Sequence, residues 1–156
     1  MRVRLLAIGQ RLPAWAQAAV DDYSMRLGHY CRFEVRAFVA AARGRGRSDQ
    51  QAMANESERL LAALKPGEKL IALDERGRQF RSLELASWLE SQQAAAMDLA
   101  FAIGGADGFS DELRQRAGML WSLSAGTLPH ALARVVAIEQ LYRAFTLLAG
   151  HPYHRQ

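Results

Sequence analysis

The chain has 156 residues, half of them apolar and 23% charged, with a formal net charge of +4. This balance excludes a disordered or fibrous chain, and the length suits one domain with a core of its own. No apolar run approaches the roughly 18 residues of a membrane span, and the lone Cys31 cannot form an internal disulfide.

In chain order, residues 3–8 (VRLLAI) read as a strand, and 13–27 carry helical spacing opened by Pro13. The basic residues and short apolar run of this N-terminus lack the small-residue cleavage site of a secretory signal, so a cytoplasmic protein is expected. Residues 32–39 (RFEVRAFV) alternate apolar and polar as a half-buried strand does, and 42–50 (ARGRGRSDQ) form a polar loop presenting Arg43, Arg45 and Arg47. A helix over about 50–64 ends at Pro66-Gly67. Strand 69–74, helix 82–93 beginning at Ser82, and strand 98–105 follow. Ser110 is placed to cap a helix over DELRQRA, 119–124 read as a strand, and the last helix begins near LPH.

Strands and helices that alternate without interruption give a parallel sheet flanked by crossover helices, an α/β fold. Neither a linker nor a repeat divides the chain, so residues 1–156 are expected to form one domain. Parallel sheets place ligand sites at the carboxyl ends of their strands. Three such ends stand out: Leu73-Asp74 before ERGRQ, Ile103-Gly104-Gly105 before ADGFS, and Leu123-Ser124 before AGTLPH. All three are expected at one sheet edge, around one pocket. Glycines 104, 105 and 108 let backbone approach a ligand closely, although a tight strand-to-helix turn would use them equally well. The loop is neither a Walker sequence nor a G-x-G-x-x-G fingerprint. Asp74, Glu75, Arg76 and Arg78 read as an exposed charged turn, in which Asp74 is also a candidate for ribose or base recognition.

The last helix carries Ala131, Val135, Ile138, Tyr142 and Phe145 on one face, broadened by Leu132, Val136 and Leu147. So wide an apolar surface is expected to be covered by the sheet or by a second subunit. Glu139 and Arg143 stand at i,i+4, the order that favours an ion pair. Arg143 is therefore either a structural partner or an active-site cation. Three of the four histidines, His130, His151 and His154, fall near the C-terminus with Tyr153 and Arg155. Their spacing, with no cysteine or carboxylate nearby, does not make a metal site. Such a tail either frays or stacks on a base and contacts phosphate. Eighteen arginines against two lysines suit phosphate recognition, and a codon bias explains the count as well.

AIGGADG, WSLSAGTLPHALARVVAIEQLYRAF and the terminal HPYHR closely resemble the RlmH-type ribosomal RNA methyltransferases of the SPOUT superfamily, and RLPAW and the chain length fit as well. The resemblance implies an α/β fold with a C-terminal trefoil knot, a homodimer, and S-adenosylmethionine as cofactor. It also implies methylation at N3 of a pseudouridine in helix 69 of 23S rRNA within the assembled 70S ribosome, with neither DNA nor membrane as partner. Carried over by position, the cofactor-binding residues are Leu73, Gly104, Leu123, Ser124, Ala125, Gly126, Thr127 and Leu128. Candidates for the chemistry are His130 as base or orienting group, with Arg143, Tyr153 and His154; Arg43, Arg45, Arg47 and Arg155 are expected on RNA phosphate. Gly126, where relatives often carry a larger residue, and Ala106-Asp107 depart from the pattern. A ribosome-binding assembly factor that keeps the fold without catalysis is the alternative.

Overall fold

The computed structural model describes residues 1–44, 46 and 48–155, the side chains of His154 and Arg155 excepted. The expectations for Arg45, Arg47 and the side chains of His154 and Arg155 thus lie outside the described residues. Strands β1 (Arg2–Ile8), β2 (Arg32–Phe38), β3 (Glu68–Arg78), β4 (Asp98–Ile103) and β5 (Met119–Trp121) alternate with helices α1 (Ala14–Leu27), α2 (Asp49–Ala62), α3 (Ser82–Ala94), α4 (Asp111–Arg116) and α5 (His130–Leu148). Among the described residues the strands form one parallel sheet in the order β2-β1-β4-β3-β5. A 3₁₀ turn at Pro152–Arg155 closes the chain. No described helix is long and apolar enough to cross a membrane.

The strand period of two sorts the core into two layers. Val3, Leu5, Ala7, Leu99, Phe101 and Ile103 turn to the face covered by α1, α3 and α5. Leu6, Ile8, Leu70, Ala72, Ala100 and Ala102 turn to the other, with Leu60 of α2 and Leu113 of α4. Local chemistry sets the helix starts. Ser48 and Gln51 form a reciprocal capping box at α2, and the Ser110 hydroxyl accepts from the Leu113 N–H at α4, the cap expected from sequence.

Three expectations need correction. The charged segment after Leu73 is not a turn: β3 continues to Arg78, with Leu73 and Arg78 both opposite Trp121 across an irregularity. Gly77 sits so close to β5 that an added Cβ would meet the Leu120 carbonyl carbon and Trp121 nitrogen at 2.5 Å, which no other residue tolerates. Asp74 is buried rather than exposed, because a guanidinium reaches it. On α5 the buried stripe is Ala137, Ile138, Leu141, Tyr142 and Phe145, whereas Ala131, Leu132, Val135 and Val136 are only half-buried.

Candidate active site

The carboxyl ends of β1 and β4, the middle of β3 and the loop after β5 surround one cavity of about 700 Å³, a size that holds a nucleoside-sized ligand. Leu73, Gly104, Leu123, Ser124, Gly126, Thr127, Leu128 and His130 all line it. Ala125, between Ser124 and Gly126, is exposed and does not line it. Gly104 is required by space rather than by dihedral: a Cβ there would stand 2.9 Å from the Gly108 carbonyl oxygen and 3.2 Å from the Phe109 ring. Gly108 has φ +75°, the left-handed region that glycine enters without steric penalty. In the loop after β5, the Ser124 hydroxyl accepts from the Gly126 N–H and the Ser122 hydroxyl donates to the Ser124 carbonyl. The cradle thus combines glycine and loop backbone, apolar walls, and the charged or titratable Asp74, Glu75, Arg76, Asp107, Arg114 and His130.

Two ion-pair systems fix the loops. Asp74 takes the Arg114 guanidinium at 2.7 Å and the Arg76 N–H at 2.9 Å. Burial raises the Asp74 pKa, but these two donors outweigh it and the net shift is downward. Arg114 also donates to the Phe109 carbonyl, which ties β3 to the glycine loop. Arg43 bridges buried Glu56 and Asp107, each at 2.9 Å. Glu56 in turn accepts from the Ala41 N–H and occupies the place where a Gly105 Cβ would stand.

His130, the first residue of α5, stands at the cavity beside Gly9. Its Nε2 is 3.1 Å from Nη2 of Arg134, a cation only 2% exposed that also donates to the Gly9 carbonyl at 2.7 Å. Burial and the neighbouring guanidinium lower the His130 pKa, so the imidazole is neutral at neutral pH. Gly9 and Arg134 were not singled out by the sequence. Their one signal is the glycine ending the first strand, since 125 positions separate the two.

Arg143 and Tyr153 lie elsewhere. Arg143 is 13 residues along α5 from His130, about 20 Å at 1.5 Å per residue. There Arg143 pairs with Glu139 at 2.7 Å and lies over the Tyr153 ring at 5.1 Å. The Tyr153 hydroxyl is 3.0 Å from that of Tyr23 and donates to Glu139 at 3.1 Å. Burial, then Tyr23 and Glu139, raise its pKa, so the phenol keeps its proton. The tail is docked, and one chain does not bring it to the cavity. Among the described residues no group of three His, Cys, Asp or Glu is placed to hold a metal.

A family model described as "Predicted SPOUT methyltransferase" matches residues 1–154. The chain belongs to the SPOUT methyltransferase family. Proteins named ribosomal RNA large subunit methyltransferase H are among its relatives. That of Chromobacterium violaceum is 44% identical over 156 residues, that of Laribacter hongkongensis 45% over 156, each covering 100% of both chains. That of Burkholderia cenocepacia is 43% identical over 155 residues, 99% of both. A methyltransferase from Legionella pneumophila, solved with bound S-adenosylmethionine, superposes with TM-score 0.50 at 18% identity, covering 92% of this chain and 66% of that one. At that identity the likeness shows a shared fold alone. The resemblance read from AIGGADG, the LPH helix and HPYHR thus identified the family.

Proposed function

We propose that this protein is an S-adenosylmethionine-dependent methyltransferase acting on N3 of a pseudouridine in helix 69 of 23S rRNA, in the assembled 70S ribosome. The observation that carries it is the cavity at the edge of the parallel sheet, lined by the glycine loop and the loop after β5, in a SPOUT chain that matches rRNA methyltransferases over its full length. When bound, S-adenosylmethionine supplies the methyl group and a good leaving group. Leu73, Gly104 and the loop from Leu123 to Leu128 hold its adenosine, mainly through main-chain groups, Ala125 serving through its backbone. His130 faces the reacting end of the pocket.

The rest of the site comes from a second copy. The half-buried Ala131, Leu132, Val135 and Val136 of α5 supply an apolar surface for a homodimer. In the dimer Arg143, Tyr153, His154 and Arg155 of one subunit close over the cavity of the other. Tyr153 or His154 then holds the base, while Arg143 stabilises the imide anion left when N3 loses its proton. Arg155 and the basic loop with Arg43, Arg45 and Arg47 contact phosphate. Residues 1–156 act as one SPOUT domain in the cytoplasm. In this reading the C-terminal half forms a trefoil knot.

Calorimetric titration tests the pocket first. The wild-type protein is expected to bind S-adenosylmethionine with 1:1 stoichiometry per chain. Absence of binding would return the chain to a fold-only assembly factor.

A further inference from the structure

The contact between His130 and Arg134 fixes where the imidazole proton sits. Arginine has donors only, and it stays protonated at any pH a protein survives. Nη2 of Arg134 carries two hydrogens and has three contacts, the Gly9 carbonyl at 2.7 Å, His130 Nε2 at 3.1 Å and, longest, the Ile8 carbonyl at 3.4 Å. Nε2 must therefore accept, which leaves the proton of a neutral ring on Nδ1. A cationic ring would set N–H against N–H.

The arrangement is built for this pairing. Gly9 has φ +99°, and a Cβ on it would stand 3.3 Å from Nε2 and 3.9 Å from Nη2. Any side chain there would be strained and would crowd the contact. Arg134 is buried, and among the described residues its Nε has no hydrogen-bond partner and its contacts are carbonyls and an imidazole rather than a carboxylate. A buried guanidinium costs several kcal/mol in desolvation unless something uses it.

We propose that Arg134 is a positioning residue that locks His130 as the neutral Nδ1–H tautomer, so that His130 gives a hydrogen bond to an oxygen in the pocket and is not the base that removes the N3 proton. The role rests on the methyltransferase reading; the tautomer does not. The oxygen is of two kinds in the reaction proposed, a pyrimidine carbonyl or the carboxylate of the cofactor's amino-acid part, and either accepts. The groups acting on the ring are Arg134 of α5, the Ile8 carbonyl of β1, which is a hydrogen-bond acceptor for a ring N–H, and Glu56 of α2. Burial and Arg134 lower its affinity for a proton, against the smaller pull of Ile8 and Glu56.

Nitrogen-15 spectra of imidazole-labelled protein, without ligand, read the tautomer directly. The His130 resonances are expected to show a protonated Nδ1 and a bare Nε2 at neutral pH. A protonated Nε2, or a cationic ring, overturns the lock. Arg134→Lys keeps a donor and should keep the pattern; Arg134→Met should release the ring to a mixture of tautomers. An unmixed Nδ1–H pattern in folded Arg134→Met would show that Arg134 is not the lock. The role is read by rescue. Asparagine places an amide N–H near Nδ1 and cannot take a proton. His130→Asn should exceed His130→Ala in kcat at least tenfold, and equal kcat values would restore the base. Wild-type protein with the expected tautomer and no methyl transfer to ribosomes overturns the enzyme reading, and the lock stands.

Discussion

At Gly104 a hydrogen in place of a side chain is what keeps the pocket open. The Gly108 carbonyl and Phe109 ring leave no room for a Cβ. Gly104→Val should therefore weaken S-adenosylmethionine binding at least tenfold, about 1.4 kcal/mol, with the melting curve still cooperative. Calorimetry on both proteins measures it. His130 gives a pH signature. Its pKa lies below the ordinary 6.5 in the folded chain, so the unfolded chain binds that proton first. Folding stability is thus lost as pH falls below 6.5 toward the folded value, and His130→Gln should remove that part of the slope in urea unfolding followed from pH 7 downward. Glycines 104, 105 and 108 by themselves read equally well as a tight turn, and became legible as a cradle only beside the other two candidate loops and the family resemblance. Arg134 was not, because a helical arginine reads as a surface residue until its fold partner, here the Gly9 carbonyl, is known.

Among the elements, short apolar runs bounded by turn residues, alternation in β2 and helical spacing between them were enough to place the strands and helices. They failed where charge masked structure. ERGR reads as a turn, yet it completes β3, with Gly77 allowing the strand to pass against β5. Arg4 lies inside the strand read at 3–8, and what its charge concealed is its burial. It is 1% exposed and pairs with the Glu68 carboxylate at 2.8 Å, itself 1% exposed, and with the Ala63 carbonyl ending α2. Arg4→Met strands that carboxylate and should cost about 3 kcal/mol of stability. Adding Glu68→Gln should recover much of the loss, as chemical denaturation of the single and double variants would show. Equal stability of wild type and Arg4→Met would mean water reaches Glu68.

For the whole molecule, the separation of His130 from Arg143 and Tyr153 carries the most consequence. HPYHR announced a purposeful tail, and the tail is docked through Tyr153, Tyr23 and Glu139. Nothing in one sequence could say that it docks at the end of α5 far from its own cavity. If two copies share each site, Gly104→Val and Tyr153→Ala chains, assayed at a cofactor concentration too low to fill the Gly104→Val pocket, should regain about a quarter of wild-type transfer when mixed as subunits. No recovery after confirmed subunit exchange would place the tail outside the reaction.

The central claim is methyl transfer to the ribosome. Purified protein and labelled S-adenosylmethionine would be incubated with 70S ribosomes, free 50S subunits or naked 23S rRNA from a strain lacking this modification. The product nucleoside would then be identified by mass spectrometry. The account predicts label on 70S alone, at N3 of a pseudouridine in helix 69. Cofactor binding with no label on any of the three would contradict it.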